Sequence, residues 1–190
     1  GATAIQGPIG GTTALTGLTI TNGTAAGTIE IANIEGVTGA TAVGNTNTAT
    51  ITLDGTTYST GGTQTYTAAA GQNIDITGAA TFTSTNTAIA FNTSGVDLGA
   101  NVAITTGTGG AGDVTFQGAV EAANAGTETL TIDSGTGDVT FSKKIGETNA
   151  LGGLDVNSTA GDGDGDIVFT EDIGDSSAGV KGITLSLIHI

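Results

Sequence analysis

The sequence predicts an all-β chain wound as a right-handed parallel β-helix, and three observations lead there. The phrase Gly137-Asp138-Val139-Thr140-Phe141 returns 25 residues upstream as Gly112-Asp113-Val114-Thr115-Phe116 and 28 downstream as Gly165-Asp166-Ile167-Val168-Phe169. Self-similarity at a period between about 20 and 50 residues marks a solenoid, propeller or array. The composition is that of ordered, turn-rich β structure, with 37% hydrophobic and only 11% charged residues, Gly 34 and Pro 1. The low hydrophobicity and high charge that leave a chain disordered are therefore missing. Finally, Gly and Thr interrupt every stretch that could otherwise form an amphipathic helix.

Taken in order, residues 1 to 26 form a first unit in which Ile5, Ile9, Leu15, Leu18 and Ile20 supply the apolar positions. The alternation Leu18-Thr19-Ile20-Thr21 predicts a strand with one buried face. A second unit opens at Gly27, where Ile29 and Ile31 point one way and Glu30 the other. Ile9-Gly10 and Ala14 to Ile20 share their internal spacing with Ile145-Gly146 and Ala150 to Val156, which predicts that the opening is a further copy of the repeat. From Val37 to Gly110 the pattern is ragged. Gly62-Thr63-Gln64-Thr65-Tyr66 and Gly78-Ala79-Ala80-Thr81-Phe82 look like degenerate copies, 16 residues apart, with the next 34 further on, so coils of unequal length are expected. The core should nevertheless continue through Ile74, Ile76, Phe82, Ile89, Phe91, Val96, Leu98, Val102 and Ile104. From Gly112 the repeat is cleanest, and Phe116, Phe141 and Phe169 hold the same place. Parallel stacking would set these rings about 4.8 Å apart as an internal ladder.

A single coil cannot roof its own interior; its stability comes from neighbours that bury both open sides and complete its backbone hydrogen bonds. Neighbouring repeats are thus the first partners expected. Residues 1–184 read as one solenoid stretch of a longer repeat protein, opening at a repeat boundary. Residues 185–190, Leu-Ser-Leu-Ile-His-Ile, break the pattern and match the conceptual translation of a transposon-type sequencing adapter, so they read as a non-native tail that carries the chain's one His.

Charge excludes several functions. Lys+Arg 3 against Asp+Glu 18 gives a formal net charge of −15. Such a surface repels a phosphate backbone and an anionic membrane, so neither nucleic acid nor membrane insertion is expected. With Cys 0, no disulfide or thiolate metal site can brace the fold. No apolar run approaches the roughly 20 residues that span a bilayer as a helix.

The Gly-Asp-Val-Thr-Phe opening, the Ile-Gly, Ala-Leu and Gly-Leu that follow it, and Gly62 to Tyr66 resemble the strand repeats of large bacterial surface proteins, the filamentous-haemagglutinin-like and autotransporter-type adhesins. The resemblance covers most of residues 1 to 184. It implies a parallel β-helix exported to the outer surface and used as a shaft or adhesive stalk, with host or cell-surface glycans or proteins as partners. It carries over no catalytic residue.

The candidate sites are few. Asp162, Asp164 and Asp166 alternate with glycines, a spacing that could gather Ca²⁺, a hard cation needing several oxygens. Against this, an EF-hand requires Gly where Ile167 stands and Glu where Ile173 stands, and the nonapeptide calcium repeat requires Gly where Asp164 stands. Three residues added to a solvated corner account for the run without any metal. Alternating Thr in Thr46 to Thr52 and Thr81 to Thr87 evokes an ice-ordering face, but these runs do not recur at one repeat position in the sequence. No catalytic set and no cofactor is expected, and the chain reads as non-enzymatic. The alternative is a carbohydrate-active β-helix enzyme, a polysaccharide lyase or hydrolase, which would show a groove lined by clustered carboxylates and aromatics. The recurring Asp113, Asp138 and Asp166 sit beside turn glycines and are expected to face water.

Overall fold

The computed structural model describes residues 1–24, 26–107, 109, 112–158, 165–174 and 183–187, the last five and residues 157–158 by backbone alone. Its strands are β1 (Ala2–Ile9), β2 (Leu18–Ile20), β3 (Gly27–Val37), β4 (Thr41–Gly44), β5 (Thr48–Leu53), β6 (Thr57–Thr60), β7 (Gln64–Thr67), β8 (Asn73–Ile76), β9 (Thr81–Thr83), β10 (Ile89–Asn92), β11 (Gly95–Leu98), β12 (Val102–Thr105), β13 (Val114–Phe116), β14 (Ala119–Ala122), β15 (Thr129–Asp133), β16 (Val139–Phe141), β17 (Gly153–Ser158), β18 (Ile167–Phe169) and β19 (Ile183–Leu187). No helix forms among the described residues, and every strand pairing is parallel.

The chain is a β-solenoid with three strands to the coil. One side is a seven-stranded sheet in the order β2-β4-β7-β10-β13-β16-β18. The other two sides are wings of a single twelve-stranded sheet, joined through the long strand β3. Its first half pairs with β5, and β8, β11 and β14 follow as the first wing; its second half pairs with β6, and β9, β12, β15, β17 and β19 follow as the second wing. Isolated bridges from Val120 to Ile145 and from Ile145 to Ile173 prolong the first wing beyond β14. Alternation sends one residue in two inward, so Ile29 and Ile31 are fully buried and Glu30 is not. All nine residues expected to carry the core between Ile74 and Ile104 are at most 2% exposed.

The aromatic ladder is present and longer than the three phenylalanines predicted. Tyr66, Phe91, Phe116, Phe141 and Phe169 stack with centroid spacings of 5.4, 4.9, 5.1 and 5.2 Å and interplanar angles falling from 13° to 1°. A second column, Tyr58 on Phe82 at 4.7 Å, meets the first edge-on, with Phe82 5.7 Å from Tyr66 and 5.4 Å from Phe91.

Three expectations are corrected. Gly62 to Tyr66 is a true copy, since Tyr66 pairs with Phe91, but Gly78 to Phe82 is not: Phe82 pairs with Tyr58 and Ile104 on the second wing. The copy that takes its place is Ile89-Ala90-Phe91 in β10. The coils are consequently near-equal rather than ragged, stepping through residues 18, 41, 64, 89, 114, 139 and 167 of the seven-stranded sheet. The opening also lies one side out of phase with its supposed counterpart. Ile9 pairs with Ile34 on the second wing whereas Ile145 bridges residues of the first, and Leu18–Ile20 belongs to the seven-stranded sheet whereas Leu154 and Val156 belong to the second wing. Short alternating strands between glycine corners look alike on all three sides, so spacing within a coil does not say which side a segment occupies. At the other end β19 carries the strand pattern to Leu187, two residues past Leu185, while residues 188–190 lie outside those described.

The recurring glycine of the repeat has a steric cause. A Cβ on Gly137 would meet backbone atoms of Gly112 at 2.5 to 2.7 Å, and one on Gly165 would meet the Gly137 carbonyl oxygen at 2.5 Å. Stacked corners at this point leave no room for a side chain.

Candidate functional site

Side chains that leave the core fall on the three outer faces and on the corners between them, and of the three predicted metal-site aspartates Asp166 can be placed there. Asp162 and Asp164 lie outside the described residues. Asp166 is exposed, and its backbone N–H donates to Asp138 Oδ1 at 2.8 Å; one coil earlier the Asp138 N–H donates to Asp113 Oδ1 at 3.0 Å. The repeated aspartates therefore form a solvent-facing ladder in which each carboxylate holds the backbone of the next coil. This is corner chemistry, as the turn-residue reading expected. Among the described residues no group of three or more His, Cys, Asp or Glu could hold a metal ion. The lengthened step of the repeat falls between β17 and β18, the segment that contains Asp162 and Asp164.

Both tyrosines are internal. The Tyr58 hydroxyl donates to the Ile31 carbonyl at 2.9 Å and accepts from the Gly55 N–H at 3.0 Å. The Tyr66 hydroxyl donates to Gln64 Oε1 at 2.9 Å, and Gln64 Nε2 donates to the carbonyls of Tyr58 and Thr83 at 3.0 and 2.8 Å. Burial pushes the Tyr58 phenol well above its ordinary value, against the Gly55 hydrogen bond and with help from Asp54; burial does the same to Tyr66, with Tyr58 adding to it. These phenols stay neutral and brace the core.

Sequence reasoning missed an acidic column on the first wing. Register places Thr52, Asp75, Asp97 and Glu121 in successive strands, all outward. The signal was available as Ile-Asp-Ile, Val-Asp-Leu and Val-Glu-Ala at near-constant spacing, once those stretches are known to share a side. Asp75 and Asp97 line a cavity of about 390 Å³ with Thr77, Ala122 and Asn149, at the corner between the wings. Partial burial, then the charge of Asp97, raises the Asp75 carboxyl above its usual range. Asp97 Oδ2 accepts from Asn73 Nδ2 at 2.8 Å. Glu121 instead accepts three consecutive backbone N–H groups, from Glu147 (3.0 Å), Thr148 (3.1 Å) and Asn149 (2.8 Å), so it fixes the corner of the following coil.

Nearby, Glu128 is 5% exposed. Burial pushes its carboxyl up, but hydrogen bonds from Thr127, from the Asn124 side chain and from backbone N–H groups outweigh this and hold it below its ordinary value.

The threonine runs behave differently from expectation. Thr57, Thr81 and Thr131 share one outer column of the second wing, with Ala103 between the last two, and Ser59, Thr83, Thr105 and Asp133 share the next. Thr thus does recur at fixed positions, although Ala103 and Asp133 interrupt the array.

Chemically, the outer surface offers corner carboxylates already engaged with backbone, one carboxylate pair beside a cavity, and hydroxyl-rich faces. The described aromatic rings are turned inward, with Phe169 half-buried at the end of its column. No protein-family model, curated protein or solved structure matches this chain.

Proposed function

We propose that this chain is a non-enzymatic shaft or adhesive repeat region of a secreted or surface-displayed bacterial protein, of the filamentous-haemagglutinin-like or autotransporter type. The observation that carries the reading is the unbroken stack. Seven strands of one sheet keep the same register while a column of five aromatic rings fills the interior beneath them. Such a stack lengthens by about 4.8 Å per coil and resists bending, because each coil is bonded to both neighbours along three sides. The acidic, Lys-poor composition suits a surface kept soluble by its own repulsion. Neighbouring repeats of the same chain are its first partners, with host or cell-surface glycans or proteins reached from its sides. Immunolabelling of intact and permeabilised source cells tests this: label on intact cells is expected, and label confined to permeabilised cells overturns it.

One observation favours the second reading, a carbohydrate-active β-helix enzyme. Two carboxylates one strand apart, one of them with a raised pKa, flank a cavity, and paired carboxylates are what glycoside hydrolysis uses. Reducing-end release from a polysaccharide panel, abolished by both Asp75→Asn and Asp97→Asn, would establish it in place of the shaft.

A further inference from the structure

The corner between the seven-stranded sheet and the first wing changes length along the axis. Between β7 and β8 it takes five residues (68–72), but between β10 and β11 it takes two (93–94), and between β13 and β14 two again (117–118). Two short corners in succession sink below their neighbours and leave a notch. The five-residue loop forms one wall, and the side chains of Lys143 and Lys144 form the other. Three strand steps separate the walls, or about 14 Å. The notch holds two adjoining cavities of about 450 and 300 Å³, which share Thr93, Ser94 and Gln117.

The notch is held open before any ligand arrives. Thr93 Oγ1 donates to the Gln72 carbonyl at 2.6 Å, and the Gly71 N–H donates to Ser94 Oγ at 2.6 Å, so the tall loop is tied to the floor. Gly71 sits at φ +77°, which lets the loop turn back over the corner. At the far wall Lys143 Nζ lies 2.7 Å from Glu171 and Lys144 Nζ 2.6 Å from Glu147.

Its chemistry differs from the rest of the surface. In a chain of net charge −15, the floor and the tall wall present no carboxylate, and both glutamates at the far wall are paired with lysines. Asn92 and Gln117, one strand step apart, both line the larger cavity, and their side-chain amides make no hydrogen bond among the described residues. Ala69 and Ala119, both partly exposed, lie alongside. The corner backbone is already engaged, since the N–H groups of Ser94, Gln117 and Ala119 donate to Gln72, Phe91 and Ser94. Two free amides, each both donor and acceptor, beside small methyl patches fit a ligand that alternates hydroxyls with C–H faces and carries no charge.

The geometry points to a binding site for a neutral oligosaccharide in this notch, with Asn92 and Gln117 as its hydrogen-bonding residues. This rests on the adhesive half of the reading above and supplies its ligand class. The test titrates the full 190-residue chain with linear neutral hexasaccharides (α- and β-linked glucans and β-linked N-acetylglucosamine) and with anionic ones, followed by saturation-transfer NMR and calorimetry. A neutral hexasaccharide should bind, the double variant Asn92→Ala/Gln117→Ala should weaken it at least tenfold with an unchanged melting temperature, and Thr131→Ala on the second wing should leave it intact. Equal binding by the double variant, preference for the anionic set, or binding by none of the panel overturns the site. Surface labelling of cells reads out separately, so failure of the site and failure of the surface-protein reading are distinguishable.

Discussion

Removing the ring of Phe116 tests the stacked interior directly. This side chain is 1% exposed and lies between Phe91 at 4.9 Å and Phe141 at 5.1 Å. Truncating a buried Phe to Ala costs about 3 to 5 kcal/mol through lost transfer energy and the cavity left behind. Two aromatic contacts, each worth about 0.5 to 1.5 kcal/mol beyond area burial, place this site at the upper end, near 5 kcal/mol. Phe169 is half-buried and stacks on one ring alone, so Phe169→Ala should cost about 2 kcal/mol by the same reasoning. Urea unfolding followed by far-ultraviolet circular dichroism measures both; at about 2 to 4 °C per kcal/mol for a chain of this size, Phe116→Ala should lower Tm by about 10 to 20 °C. Because Phe116→Ala takes up much of a typical domain's stability, Phe116→Leu serves as the milder variant, expected at about 1 to 2 kcal/mol. Equal losses at Phe116 and Phe169, or a loss under about 1 kcal/mol for Phe116→Ala, would refute a shared interior column.

Three further outcomes are expected. Gly137→Ala drives a Cβ to within 2.5 Å of the Gly112 backbone and should cost about 1 to 3 kcal/mol by calorimetry, whereas Gly7→Ala, with nothing within 4 Å, should stay within about 0.5 kcal/mol. Thr41 is 1% exposed with a hydroxyl that finds no partner among the described residues, so Thr41→Val should stabilise the chain by about 1 kcal/mol, seen as a higher urea midpoint. The two perturbed carboxyls should respond oppositely to pH. Asp75 has a folded pKa above 3.8, so the folded state holds its proton longer and stability falls as pH rises through that window; Asp75→Asn should stabilise at pH 7, and the gain should vanish below pH 3.8. Glu128 has a folded pKa below 4.5, so its contribution is present above 4.5 and is lost as pH falls through the depressed value. Glu128→Gln should therefore destabilise at pH 7 and converge with the parent in acid, as paired melts across pH 2 to 7 would show.

By itself the sequence determined the architecture and its filling. Alternation such as Ile29-Glu30-Ile31 dictates which face is wet, because successive side chains in a strand point opposite ways. The 25-residue return of Val-Thr-Phe dictates that Phe116 and Phe141 share a column, because parallel coils that repeat must stack like on like. Tertiary structure alone decided which side of the coil each strand occupies, and with it every outer column. The degenerate phrase at Phe82 and the opening at Ile9 keep the spacing of the repeat yet lie on other sides, since short strands between glycine corners carry no mark of their side. Asp75 beside Asp97, and Asn92 beside Gln117, are more than twenty residues apart in the chain and become neighbours only when the coils are laid in register. The hydrogen bonds that set that register run between backbones, which are the same at every residue.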